Sequence, residues 1–281
     1  MIKGNPETIS HTGISGRIPS VPKNPERDVT MTDFTRVHPD ELFLAVEKPS
    51  RYTGGEVNAL REDDGACRLR FALAFPDAYE VGMSHLGLQI LYAVLNGLPG
   101  VRCERCYAPW PDMEAQLRSR RLPLCSLESQ RPLAAFDIVG FSLQYELSYT
   151  NVLMMLDLGG IPLHSEKRTE CDPLIIAGGP SSFNPAPMSA FIDAFVIGEG
   201  EEAVGEIAAS VMAIKARGGK RREQVEALAG IPGVYVPAVH TGGERIRKRI
   251  ITDLDGKLHF IIKAIGPSMV SSSFPPYNTL E

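Results

Sequence analysis

The chain has 281 residues, room for one large domain or two modest ones, and its 43% apolar and 22% charged content excludes global disorder and fibrous repeats. A net charge of −5 and a pI near 5.8 argue against a nucleic-acid-binding surface, which carries a basic excess. Apolar runs such as Ile175 to Ala177 fall far short of the roughly 20 residues of a membrane helix, and no basic N-terminal region leads into an apolar stretch, so a cytoplasmic protein is expected.

Residues 1–45 read as a disordered tail. Gly, Pro, Ser, Thr, Asn and charged residues dominate from Met1 to Thr30 without apolar periodicity, so burial cannot offset the entropy of ordering. Met31 is an alternative start. Leu69 to Phe75 is a short apolar run ending at Pro76-Asp77, the pattern of a buried strand and its loop. A helix follows from Ser84, with Leu86, Ile90, Leu91, Val94 and Leu95 at helical spacing and Gly97 closing it. Val101 to Tyr107 is a second strand and Asp112 to Arg121 a polar helix. Asp137 to Leu143 is a third strand, followed by a helix from Ser148 to Leu158, where Met154 and Met155 suit a core. Pro173 to Ala177 and Asp193 to Ile197 are the fourth and fifth strands, and a helix starts at Glu201. Arg221 to Ala229 reads as one more helix, the basic run Arg217 to Arg222 as a solvated face, and Val234 to Pro237 and Arg245 to Ile251 as edge strands or an extended exit.

Five β-α units with apolar strands predict a doubly wound, mostly parallel five-stranded α/β sheet over residues 46–230, with a linker or extension over 231–281. The five cysteines are too irregular and too few for a disulfide framework. Cys103 and Cys106 form a Cys-x-x-Cys, but on a strand rather than at the turn that lowers a thiol pKa, and no second pair completes a zinc site. They read as two small residues on a half-buried strand.

In such a sheet, ligands bind beyond the carboxyl ends of the strands, at the topological switch point. The candidate site residues are therefore Asp77, Tyr79, Glu80, Gly82, Ser84 and His85 after the first strand, and Ser142 and Gln144 after the third. Gly178, Gly179 and Pro180 follow the fourth, and Gly198, Glu199 and Gly200 the fifth. The glycines permit close backbone approach or positive φ, or simply shape turns. Tyr145 and Glu146 line the same pocket or face a docked domain, and Trp110, between two prolines, is expected to pack. Neither G-x-G-x-x-G nor a P-loop is present, which disfavours a nucleotide- or flavin-binding protein.

These loops resemble the cobalamin-binding-like, flavodoxin-like Rossmannoid domain that precedes radical SAM catalytic domains. The stretches Pro49 to Glu56, Phe75 to Leu91, Ala108 to Glu114 and Phe141 to Asn151 are similar to an uncharacterised branch of that family, and the resemblance runs over about residues 47 to 260. It implies a possible cobalamin cofactor. A cobalt-ligating domain carries Asp-x-His-x-x-Gly, however, and around His85 the Asp is replaced by Met83 and the Gly by Leu88, while His240 lacks the Asp at Ala238. The iron–sulfur cluster and SAM belong, by the same resemblance, to a catalytic domain bearing Cys-x-x-x-Cys-x-x-Cys, which these five cysteines do not form. The sequence departs from the resemblance near Phe260, as a truncated, frameshifted or split protein would. The expectation is an N-terminal module that is inactive by itself and partners a radical SAM catalytic domain, in cis in the family or in trans here. The alternative is a degenerate domain that has lost the cofactor and docks or positions a substrate. No nucleic-acid or membrane partner and no metal ligand are expected. If the cleft takes a corrinoid, Gly179→Leu should abolish binding and leave the fold unchanged.

Overall fold

The computed structural model describes residues 39–56, 59, 67–241 and 246–252. Of the tail expected over 1–45, only the end is described, and there Pro39–Phe43 forms a five-residue helix, α1. The alternative start at Met31 and the extension after Thr252 lie outside the described residues. Among the described residues, no helix is long and apolar enough to cross a membrane.

Six strands build one sheet: β1 (Leu69–Phe75), β2 (Val101–Tyr107), β3 (Ile138–Ser142), β4 (Leu174–Gly178), β5 (Ala194–Val196) and β6 (Val234–Tyr235). Their order is β2-β1-β3-β4-β5-β6. The first five are parallel, with Leu69 opposite Val101, Phe71 opposite Ile138 and Ile138 opposite Leu174. The doubly wound reading holds, and to the expected five strands β6 adds a short antiparallel edge, Tyr235 opposite Phe195. The chain's path reverses between β1 and β3, which places the switch point there.

The strands are apolar on both sides because helices cover both. On one face Phe71, Leu73 and Ile176 pack against α3 (Leu86–Asn96), α6 (Ala203–Ala216) and α7 (Arg221–Leu228). On the other, Ala72, Val139, Phe141 and Ile175 meet α4 (Pro111–Arg120) and α5 (Tyr149–Leu158), where Met155 is buried and Met154 partly so. Each buried aromatic such as Phe71 or Phe141 contributes about 1.5–3 kcal/mol over leaving it in water. Residues three apart on a strand point to opposite faces, so Cys103 enters the first core and Cys106 the second. Burial pushes both thiols well above the ordinary range. The pair is not a dithiol, and its strand is buried rather than half-buried.

Two aspartates clamp the amino ends of the strands in the same way. Asp137 donates its N–H to Arg70 O and accepts from Arg70 N through its carboxylate, and Asp193 repeats this on Ile175. Lys215 reaches Asp137, whereas Asp193 sits between Arg221 at 2.5 Å and the fully buried Arg168 at 3.1 Å. Arg221 therefore leaves the solvated basic run and enters the protein. At the opposite ends of the strands lie the loops that carry the candidate site.

Candidate functional site

The loop after β1 is a helical turn, α2 (Tyr79–Gly82), leading into α3. His85 is the N-cap of α3: its Nδ1 accepts from Leu88 N at 3.1 Å, and its ring rests 5.1 Å from that of Phe75. An accepting Nδ1 leaves the ring proton on Nε2, the atom a metal would need free. Gly82 is buried beneath Tyr107, whose Cε1 lies 2.5 Å from where a β-carbon would stand. Ser84 is exposed.

Tyr79 and Glu80 face away from the switch point, towards residues 47–56, which cross the carboxyl ends of β1 and β2. Arg51 donates to Glu80 at 2.8 Å and lays its guanidinium 4.5 Å from the Trp110 ring. Tyr52 Oη accepts from Trp110 N at 3.1 Å. Glu56 accepts from Tyr79 Oη at 2.7 Å and from Arg105 at 2.8 Å. Burial and the bond to Glu56 push the Tyr79 phenol up to about 12. Burial alone would raise Glu56, but the Tyr79 hydrogen bond and Arg105 hold its carboxyl below the usual range. The Arg51 hydrogen bond does the same for Glu80. Trp110 thus packs, as expected, yet remains 44% exposed.

At the switch point, Asp77 accepts from Ala78 N at 2.8 Å and from the Tyr145 hydroxyl. Asn151 donates to Pro76 O at 3.0 Å, which ties α5 to the first loop. Ser142 and Gln144 bond to each other at 2.7 Å. Leu143 donates to Gly178 O at 2.7 Å and accepts from Ser181 N at 3.1 Å. Gly179, at φ +101°, presses directly on that backbone: a β-carbon would lie 2.6 Å from Leu143 O. Gly179 is therefore a packing position and not a surface loop position, and Gly179→Leu would not leave the fold unchanged as the sequence reading expected. Pro180 is exposed and opens the turn Pro180–Phe183.

The loop after β5 is occupied by the chain itself. Residues 246–252 run alongside it, with Arg249 bridged to Gly198. At Gly198, φ +114°, a β-carbon would stand 2.3 Å from Arg249 O. Glu199 donates its N–H to Arg249 O at 3.2 Å and accepts from Ile251 N through its carboxylate at 2.5 Å. Arg249 reaches Glu202 at 2.9 Å and Glu206 at 2.5 Å, and Thr252 N donates to Glu202 at 2.7 Å. Gly200 lies over Leu91, 3.4 Å from the position of a β-carbon.

The structure thus gathers Asp77, Ser142, Gln144, Gly178, Gly179 and Pro180 at the carboxyl ends of β1, β3 and β4. Tyr79 and Glu80 hold the entering segment, and Gly198 and Glu199 the leaving one. Sequence reasoning missed Arg51, Asn151, Arg249 and Glu202 in these roles. Arg51 and Asn151 carried a signal, since each stands in one of the four stretches that bear the resemblance.

These features define a doubly wound α/β domain whose switch-point loops are bonded to one another. The chain matches the family of radical SAM protein N-terminal domains over residues 87–237, more than half its length, and it belongs to that family. No curated protein and no solved structure matches it.

Proposed function

We propose that this chain is the N-terminal positioning module of a radical SAM protein, and that it does its work without a corrinoid. The observation that carries this reading is how the candidate residues are occupied. His85 spends Nδ1 on capping α3, and Gly179 and Gly198, two of the glycines that would let a flat ligand approach, are filled by Leu143 and Arg249. Among the described residues, no carboxylate bonds the His85 ring to fix its other tautomer, as a cobalt-ligating imidazole requires. The residues present do not fit a corrinoid held through His85. Nor do they suit a phosphate-bearing ligand, because Glu199, Glu201 and Glu202 crowd the N-terminus of α6, where an anion would sit.

The radical chemistry of the family needs three thiolates in Cys-x-x-x-Cys-x-x-Cys to hold the cluster that binds SAM, and this chain has no such triple. Catalysis accordingly belongs to a radical SAM domain that this module serves, joined to it in cis or supplied in trans. The test is titration of the full chain with hydroxocobalamin, at roughly tenfold excess over a micromolar Kd, followed by visible absorbance and gel filtration. The protein should elute free of corrinoid with no spectral shift. Co-elution with a shifted spectrum would overturn the reading, whether or not His85→Ala retains the corrinoid.

A further inference from the structure

Residues 246–252 lie against the end of β5 as a ligand lies in a site. Arg249 donates its N–H to Ile197 O at 2.8 Å and accepts from Glu199 N at 3.2 Å, so it continues the sheet by one parallel bridge. Two glycines from separate loops leave room for it. A β-carbon at Gly198 would stand 2.3 Å from Arg249 O, and one at Gly233 would stand 2.7 Å from Arg249 Cβ. The guanidinium grips Glu206 with both terminal nitrogens, at 2.5 and 3.2 Å, and Glu202 at 2.9 Å. Such a fork suits arginine and not lysine. Further along, Glu199 accepts from Ile251 N and Glu202 from Thr252 N. The side chains of Arg247, Lys248 and Ile250 are exposed, so the seat reads main chain and one arginine.

The stretch adds little to the core, since Ile246 and Ile251 are only half-buried. The walls of the seat are bonded to each other without it: Ile197 N donates to Gly233 O at 2.8 Å, and β5 pairs with β6. We propose that Gly198, Gly233, Glu199, Glu202 and Glu206 form a binding site for an extended peptide centred on arginine. Residues 246–252 are its releasable intramolecular ligand. The mode is strand addition, in which main-chain bonds give affinity and the arginine gives specificity. Tethering holds this ligand at an effective concentration of roughly millimolar, so a peptide in trans binds only when the chain's own arginine is out. The site stands independently of the module reading and of the corrinoid.

The test uses the full chain and a labelled peptide with the sequence of residues 246–252, read by fluorescence anisotropy. Arg249→Asp sets a carboxylate against Glu202 and Glu206 and should eject the chain's own segment. The peptide should bind this variant about tenfold or more tighter than it binds the wild type. Lysine in place of the peptide's central arginine keeps the charge and should weaken binding about tenfold. The circular dichroism melt of Arg249→Asp should stay close to that of the wild type. A second variant, Glu206→Gln, leaves the main-chain bonds and loosens the arginine. Its cleavage by trypsin after Lys248, followed by mass spectrometry, should quicken about tenfold. Failure of Arg249→Asp to bind the peptide, or a melt that collapses, would make the segment a fixed part of the fold and overturn the proposal. Equal binding to the wild type would place the peptide elsewhere, and equal binding of the lysine peptide would reduce recognition to charge. Either result overturns the site, as does cleavage of Glu206→Gln at the wild-type rate.

Discussion

Gly178 and Gly179 are neighbours, yet a β-carbon would meet opposite fates at the two. At Gly178 its nearest contact would be Val196 Cβ at 3.7 Å, an ordinary packing distance on a strand. At Gly179 it would meet backbone oxygen at 2.6 Å, in a conformation at φ +101° and ψ 178° that is essentially reserved for glycine. Gly178→Ala should therefore change stability by less than about 1 kcal/mol. Gly179→Ala should cost about 3 kcal/mol or more, because backbone strain and a clash that no side chain can relieve act together. Urea midpoints of the two variants would decide it, and equal losses would refute the account of Gly179 as a packing position. A glycine pair after a strand was legible as a demand for unusual backbone. What presses on it was not, since Leu143 lies on another loop and reaches Gly179 only through the parallel pairing of β3 with β4. His85 was legible as a candidate ligand, and the distance to Leu88 N shows it to be a cap.

At the scale of elements, the segment 47–56 is held by contacts to residues 23 to 78 positions away. That spacing is why it read as a signature without a role. Its latch is electrostatic and works within a pH window. Glu80 and Glu56 have folded-state pKa values below their unfolded ones, so their contribution is present above about pH 4.5 and fades as pH falls through the lowered values. Tyr79 is shifted the other way, to about 12, so its contribution is complete below about pH 10 and is lost as pH rises through that value. Trp110, the only tryptophan, lies against Arg51 and reports on the latch. Its emission should change as pH falls below about 4.5 while the far-ultraviolet dichroism holds, and Glu80→Gln should remove most of that step. An acid transition of full amplitude in Glu80→Gln would show that the latch is not what titrates. The leaving segment is held by Arg249 in the same manner, against Glu202 and Glu206, and it too was illegible, because those partners stand more than 40 positions back. The strands and helices themselves were legible to within a few residues. Their signal is local periodicity, and helices on both faces of the sheet satisfy it.

Across the whole molecule, both ends of the strands are fastened by charge. At the carboxyl edge Arg51 and Arg249 tie the entering and leaving segments to Glu80 and to Glu202 and Glu206. The amino edge is closed by the paired aspartates, which differ in burial. Asp137 and Lys215 are partly exposed, so solvent screens the pair and its net worth is about 1 kcal/mol at most. Asp193 is buried between Arg168 and Arg221, with Ile175 N as a third donor at 2.7 Å. Burial already pulls the Arg168 guanidinium below its ordinary value, and Asp193 is the charge that opposes this. Asp193→Asn keeps the shape and strands a buried cation, which costs about 3–5 kcal/mol where it has been measured in other proteins. Asp137→Asn, which alters the same clamp geometry, should cost roughly a third of that or less. Urea unfolding of the two variants separates them, and comparable losses would mean that the buried network is not what holds β4 against β5.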